Sequence, residues 1–319
     1  MSSRLSAPPW ELALRRLVWL PVALAAVLLA GCSDDPSTEV AAPTATAAPP
    51  AAPATPTEVP TATPTPGPTP TPAPTPTPTP IPEPWVPAPG TTFQWQLIDS
   101  IDTGFDVDMY DIDLFDAPQG VIDGLRARGI EVICYFSAGS FEEWRIDADT
   151  FPAEVLGASN GWPGEVWLDI RRIDLIAPTM TARLDLAASK RCTGVEPDNV
   201  DAYINDSGFD ITPEDQIAYL RFLAGEAHAR GLSIGLKNAV ELVPDLVDDF
   251  DWTLNERCMV FDECARLTPF IEAGKAVFHV EYEGDLAWCP LARELGFVSL
   301  EKDLLVTSVY RPCPAPDGG

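Results

Sequence analysis

From residue 91 onward, short apolar and β-branched runs alternate with stretches in which apolar positions recur every three or four residues. The short runs predict strands over 93–97, 107–114, 131–137, 193–198, 233–238, 252–256, 276–282 and 297–301. Between them, helical spacing predicts helices over 118–128, 173–190, 213–230, 240–248, 265–273 and 286–295. The clearest is 213–230. Thr212 stands as its N-cap, Pro213 takes the first helical position, Asp215 lies in the first turn and Gly231 ends the pattern. Ile217, Leu220, Leu223, Ala224 and Ala227 fall on one face of it. Strands alternating with helices imply a parallel sheet, and eight of them in about 230 residues imply a closed (β/α)8 TIM barrel. An open doubly wound sheet is the alternative, without a glycine-rich phosphate loop to support it.

The chain ahead of this domain has a different pattern. Arg15 and Arg16 precede an unbroken apolar run over 17–30 that ends on Leu29-Ala30-Gly31-Cys32. The run is short for a membrane span and has the layout of an export signal. Its end resembles a lipobox, which implies a lipoprotein signal peptide over 1–31, cleavage before Cys32 and acylation of Cys32. An uncleaved N-terminal anchor is the competing reading. Residues 32–90 are Pro, Thr and Ala with few aliphatics, and the Thr-Pro alternation can form neither ladder nor core. That composition predicts a disordered, extended linker, reaching on the order of 150 Å at about 3.1 Å per residue. The domain at 91–319 is thus expected to be exported and tethered by lipid at the cell membrane or surface, as a monomer.

Charge and cysteines narrow the partners. The chain carries 48 acidic residues against 20 Lys and Arg; 6 and 3 of these precede residue 91, which leaves the domain at a formal −25. Nucleic acid and anionic membrane surfaces are therefore poor partners. A cationic or neutral ligand fits, as does a merely solvated acidic surface. With Cys32 acylated, six cysteines remain in an exported domain and point to disulfides. Cys258 and Cys264 bracket a tight loop and are the favoured pair; Cys289 with Cys313 is a second. Cys134 and Cys192 lie in strand-like runs, where free buried thiols are an equal alternative.

In a barrel, side chains at the carboxyl ends of the strands surround the active site. That rule gathers Asp111, Asp113, Tyr135, Ser137, Glu196, Asp198, Asn199, Lys237, Asn238, Asn255, Glu256, Glu281 and Tyr282 at one mouth. The densest run is Gly194-Val-Glu-Pro-Asp-Asn-Val-Asp201. Only two histidines, His228 and His279, exist, so a Ser-His-Asp or Cys-His triad has few candidates; His279 inside a strand reads best as a packed barrel residue. No His/Cys/Asp set has zinc-ligand spacing, no cofactor is expected, and only a carboxylate-held magnesium or calcium stays open. Paired carboxylates remain, the groups that glycosidic bond cleavage requires. Trp95, Tyr110, Tyr135, Trp144, Trp162, Trp167 and Tyr282 could stack on sugar rings or serve the core, and no more than about half are expected at the cleft.

The motifs Val132-Ile-Cys-Tyr-Phe-Ser-Ala-Gly-Ser140, Trp144-Arg145, Gly161-Trp-Pro-Gly164, Trp167-Leu-Asp169, Gly194 to Asp201, Gly235-Leu-Lys-Asn238, Asn255-Glu256 and Glu281-Tyr282 occur in this order. Together they resemble glycoside hydrolase family 114, whose namesake activity is endo-α-1,4-polygalactosaminidase. The resemblance implies a TIM barrel with a catalytic Asp ending the fourth strand and a catalytic Glu ending the sixth. These fall on Asp198, as nucleophile, and Glu256, as general acid/base. The implied function is retaining, endo-acting hydrolysis of an α-1,4-linked galactosamine-rich polysaccharide, a polymer whose ammonium groups suit an acidic domain. A polysaccharide-binding surface lipoprotein without turnover is the alternative. Glu281 is the second candidate for the acid/base. Glu196 is expected to contact substrate or to pair with Lys237. Asp169, in the long insertion after the third strand, is expected to serve a subsite or its own loop, and at least one of Asp111 and Asp113 is expected behind the residues that touch substrate.

Overall fold

The structure is a computed structural model that describes residues 83–282 and 284–315. The expected signal peptide, Cys32 and the linker up to residue 82 lie outside the described residues. No helix among the described residues is long and apolar enough to cross a membrane.

Eight parallel strands form a curled sheet: β1 (Phe93–Gln96), β2 (Met109–Asp113), β3 (Glu131–Ser137), then, past an inserted arm, β7 (Gly194–Asp198), β8 (Ser233–Lys237), β9 (Trp252–Glu256), β10 (Val277–Glu281) and β11 (Val298–Glu301). A short β12 (Arg311–Pro312) runs antiparallel to β11. The strand positions match those expected from the sequence to within a residue or two. No ladder joins β11 to β1 among the described residues. The seam is bridged instead by the Leu97 amide donating to the Val306 carbonyl at 2.9 Å, and by Lys302 Nζ donating to Gln94 Oε1 at 3.2 Å. The fold is a (β/α)8 TIM barrel closed on one side by loop and side-chain contacts.

Alternation along each strand sorts the side chains into two layers. Phe93, Trp95, Met109, Ile133, Trp252, Leu254, Phe278, Val280 and Leu300 fill the barrel interior as one cluster. Their neighbours Tyr110, Ile112, Val132, Cys134, Phe136, Val195, Ile234, Leu236 and Val277 face the helices. Gly235 has no side chain because of Trp252, whose ring would lie 2.4 Å from a Cβ there. The space it leaves lets a full indole into the interior, where burial of such a side chain contributes roughly 2–3 kcal/mol.

The helices follow the expected order: α1 (Gln119–Ala127) after β2, α2 (Ile173–Ser189) before β7, α3 (Pro213–His228) before β8, and shorter ones after β8, β9 and β10. At α3 the Thr212 hydroxyl accepts from the Asp215 amide while the Asp215 carboxylate accepts from the Thr212 amide, a reciprocal capping box. The expected 240–248 and 265–273 helices are each broken into a 3₁₀ turn followed by one short helix with a proline in its second position, at Val243–Leu246 and Thr268–Glu272.

The element not expected is the arm between β3 and α2. It holds β4 (Ser140–Glu142), β5 (Leu156–Ser159) and β6 (Glu165–Leu168), paired antiparallel in the order β4-β6-β5. It grows out of the carboxyl end of β3 and so stands over the barrel mouth. Gly139 is the pivot: a Cβ there would lie 1.7 Å from the Asn199 carbonyl oxygen, so the arm and the end of β7 touch backbone to backbone. All six remaining cysteines are paired, as Cys134–Cys192, Cys258–Cys264 and Cys289–Cys313. The first settles the open choice between free thiols and a bridge.

Candidate active site

At the carboxyl ends of the strands lies a cleft of about 420 Å³. Three successive strands end at it on a charged side chain followed by a residue in the left-handed region: Asp198 then Asn199 (φ 60°), Lys237 then Asn238 (φ 47°), Glu256 then Arg257 (φ 66°). Each left-handed residue turns the chain away from the barrel axis and leaves the preceding side chain projecting into the mouth. Asn tolerates that conformation; Arg257 holds it at a cost of about 1 kcal/mol or more.

Lys237 is the centre of the arrangement. Its Nζ lies 2.7 Å from Glu196 Oε1, 3.2 Å from Asp198 Oδ1 and 3.3 Å from Glu256 Oε2. The last two distances hold those Asp198 and Glu256 oxygens within about 6.5 Å of each other. Burial works against the ammonium charge, but the charges of Asp198, Glu196 and Glu256 outweigh it and raise the Lys237 pKa well above the ordinary range. The ammonium also sits 4.6 Å from the centre of the Trp95 ring, whose indole N–H donates to Glu196 Oε2 at 3.0 Å.

Each of the two upper carboxylates has its own tyrosine. The Tyr135 hydroxyl donates to Asp198 Oδ2 at 3.1 Å, and the Tyr282 hydroxyl donates to Glu256 Oε1. Burial first, and then the adjacent carboxylate, raises both phenols well above their ordinary range, so both stay protonated donors. Asn238 completes the hold on Glu256. Its Nδ2 donates to Oε2 at 3.1 Å and its Oδ1 accepts from the Glu256 amide at 2.9 Å.

Beneath this layer lie Glu196 and Asp111, both fully buried. Neither Asp111 oxygen has a donor. Burial, then the charge of Glu196 and a hydrogen bond to it, raise the Asp111 pKa well above the carboxylate range. A protonated Asp111 that donates to Glu196 removes the apparent orphan. Asp113 is the residue that the arm claims: Arg145 grips it with both terminal nitrogens, at 3.0 and 2.7 Å, and reaches Glu142 through Nε at 2.9 Å.

Of the residues expected at the mouth, Asp113, Tyr135, Asp198, Asn199, Lys237, Asn238, Glu256 and Tyr282 line the cleft. Glu196 and Asp111 lie one layer below it. Ser137 is buried behind the lining, where its hydroxyl accepts from Asn199 Nδ2 at 2.9 Å and holds that loop. Asp169 is outside the lining and bonded to Arg171 at 2.7 and 2.9 Å, so it serves its own loop.

Two expected residues point elsewhere. Adjacent residues of a strand face opposite ways, and with Glu256 inside, Asn255 faces the helices. Likewise Glu281 points outward, where Oε1 takes the Met259 amide at 2.9 Å and His279 Nε2 at 3.0 Å. His279 is sealed there, with Nδ1 on Ser299 Oγ at 3.1 Å. Cys258 and Cys264 come close to this imidazole, but their sulfurs are joined in the disulfide and offer no thiolates to a metal.

The arm supplies what the strand ends could not announce. Trp144, Trp162 and Trp167 line the cleft, the first two about half exposed, together with Glu142, Arg145, Asn160 and Glu165. With Trp95, Tyr135 and Tyr282 they put six of the seven candidate aromatics at the cleft, more than the expected half. Tyr110 alone belongs to the helix-facing core. Asp201 and Asn205, just past β7, also line the cleft. Apolar residues followed by carboxylates around an aromatic-walled trough suit proton transfer and nucleophilic attack on a sugar ring.

Known proteins match this chain over the same region. A model of glycoside-hydrolase family GH114 matches residues 75–315. The crystal structure of Aspergillus fumigatus Ega3 in complex with galactosamine is similar at 41% identity, covering 72% of this chain and 97% of that one, with a TM-score of 0.69. The glycoside hydrolase domain of PelA from Pseudomonas aeruginosa shares the fold at 14% identity and a TM-score of 0.55, covering 69% of this chain and 97% of that domain. No curated protein sequence matches the chain.

Proposed function

Because the chain belongs to glycoside-hydrolase family GH114, we propose that its cleft hydrolyses an α-1,4-linked galactosamine-rich polysaccharide internally, with retention of configuration. Asp198 is the nucleophile and Glu256 the general acid/base. The observation that carries the assignment is the shared ammonium of Lys237, which ties one oxygen of each carboxylate to the same point at 3.2 and 3.3 Å. The limit of about 6.5 Å on the oxygens that share Lys237 is compatible with the short separation of retaining enzymes, about 5–5.5 Å. The galactosamine bound by the similar fungal protein supports the choice of sugar.

In the first step Glu256 gives its proton to the departing glycosidic oxygen while Asp198 Oδ attacks the anomeric carbon. Lys237 begins paired with ionised Asp198; as that carboxylate becomes an ester, Glu256 becomes the ionised partner of the same ammonium. In the second step Glu256 takes a proton from water, the hydroxyl oxygen bonds to the anomeric carbon, and Asp198 leaves as a carboxylate. Lys237 thus faces ionised carboxylate at both stages without moving. The Tyr282 hydroxyl can donate to Glu256 as a carboxylate and accept from it as an acid.

The test is hydrolysis of α-1,4-galactosamine polymer by the domain, with the product anomer followed by NMR at early times. Asp198→Asn and Glu256→Gln should each lower turnover at least about 1,000-fold while polymer binding persists. Initial release of the opposite anomer would overturn retention, and binding without any turnover by the wild type would favour a capture protein. Acylation at Cys32 is part of the same reading, and Cys32→Ser should free the protein from the membrane fraction with activity unchanged.

A further inference from the structure

The carboxylates of the cleft can be told apart by what answers their charge. Asp113 and Glu142 share Arg145. Asp198 and Glu256 share Lys237. Asp116 lies 3.5 Å from Arg145 and is largely exposed. Glu165 accepts from Ser140 Oγ at 2.9 Å and Asn160 Nδ2 at 2.6 Å. Asp201 lines the same cleft and has no cationic partner among the described residues. The nearby Asn205 amide donates to the Asp201 backbone carbonyl at 2.9 Å. Burial first, then the charge of Asp198, push the Asp201 carboxyl up to about 6. The uncharged groups around it, Asn205 and its own N–H, offset only part of that. A recessed, mostly ionised group with a negative neighbour and no cation is unfavourable in the free protein, and a cationic ligand is what relieves it.

The position of Asp201 says which cation. In a 2-amino sugar the ammonium is on the carbon next to the anomeric carbon, so when Asp198 addresses the anomeric centre, the ammonium lies one carbon from the point of attack. The chain makes that neighbourhood from one short stretch: β7 ends on Asp198, Asn199 turns left-handed, and Asp201 comes back to the cleft three residues later, still close enough to feel the charge of Asp198. We propose that Asp201 is the ammonium-binding residue of the subsite at the cleavage point, and that it makes the enzyme select a free 2-amino sugar over its N-acetylated form. This rests on the proposed polygalactosaminidase reading and names the group that sets its acetylation preference. An acetamide in the same place brings no charge and leaves Asp201 without a counter-charge, as in the free protein.

The test compares wild type and Asp201→Asn on an oligogalactosamine and on the same oligomer fully N-acetylated. A charge-assisted contact predicts a loss of about 10- to 100-fold in kcat/KM on the amine for Asp201→Asn, with the acetylated oligomer changed less than about 3-fold. Asp201→Glu, which keeps the charge, should recover part of the preference. Equal losses on both oligomers, or an unchanged ratio, would overturn the proposal. Should the wild type cleave neither oligomer, the function proposed above fails and binding decides this one: NMR titration should show galactosamine bound more tightly than galactose by wild type, and without that difference by Asp201→Asn. Equal binding of the two sugars by wild type would overturn the proposal on its own.

Discussion

Glu196 Oε1 lies 2.7 Å from Lys237 Nζ, and both side chains are sealed from solvent. This pair fixes the ammonium from below, so its remaining donors point up at Asp198 and Glu256. Lys237→Met leaves Glu196 buried with no cation, a change that costs about 3–5 kcal/mol when one partner of a buried pair is removed. It also removes the group facing both Asp198 and Glu256. Lys237→Met with Glu196→Gln should recover much of the stability and none of the activity, measured by denaturant unfolding and by polymer turnover. Recovery of activity in the double variant would show that Lys237 serves only to neutralise Glu196.

The eight strands were legible because their apolar runs are short and most are followed by a helix signal, while the arm was not. Its strands β4, β5 and β6 are three or four residues long and mostly half-buried, so they carry no alternation long enough to count. The length of chain between β3 and β7 was the available signal that something covers the mouth. Asn255 and Glu281 could have been set aside from the sequence, since each adjoins a residue given to the mouth, Glu256 and Tyr282, and strand neighbours cannot share a face. Asn199 and Asn238 escape that rule through their left-handed backbone, which asparagine adopts more readily than most residues. Asp201 stood in the densest motif, but nothing in the sequence told that its neighbours would leave it without a cation.

Asn238 holds Glu256 from two sides, accepting from its amide and donating to its carboxylate. Asn238→Asp keeps the acceptor and sets a second negative charge against Glu256, whereas Asn238→Gly loses both bonds but suits the positive φ. Both variants should fold, and the Asp variant should turn over polymer at least about 10-fold more slowly than the Gly variant near neutral pH. Equal rates would show that the amide's donation is immaterial.

The disulfides divide between stability and the site. Cys134–Cys192 spans 58 residues of chain, including the arm, and Cys258–Cys264 spans 6. On loop-closure entropy alone, opening the longer bridge costs about 2 kcal/mol more. Paired serine substitutions should therefore lower Tm more at Cys134 and Cys192. The pair at Cys258 and Cys264 lies just past Glu256 and should lower kcat more for less loss of Tm. Calorimetry and turnover on both double variants check the contrast.

Lys302 pins the open seam with no carboxylate bonded to it, donating to Gln94 Oε1 and to the Thr307 and Val309 carbonyls. Burial lowers its pKa from 10.5 to about 8. The unfolded chain then holds this proton between about pH 8 and 10.5 while the folded chain releases it, so the contribution of Lys302 to stability rises with pH across that window. The limiting slope is about 1.4 kcal/mol per pH unit. Lys302→Met removes the titration, so the stability difference between wild type and variant should shift in favour of wild type from pH 8 to 10. A difference independent of pH would place the Lys302 proton outside that window.

Asp111 tests the floor of the site. Burial, and then the charge of Glu196, raise its carboxyl well above the ordinary carboxylate range, so above the unfolded pKa folding takes up a proton. A carboxyl raised in this way is most favourable below its unfolded pKa, and its contribution declines as pH rises toward the folded value. Asp111→Asn supplies a neutral group of the same shape whose amide can donate to Glu196, with no proton to take up. The variant should match wild type in Tm near pH 3.5 and exceed it increasingly toward neutral pH, with turnover within about 3-fold because Glu196 and Lys237 keep their pairing. Asp111→Ala, which leaves a gap and removes the donor, should lose both stability and activity. An Asn variant that becomes less stable than wild type as pH rises would mean that Asp111 is ionised in the folded protein, and that Glu196 carries the shared proton instead.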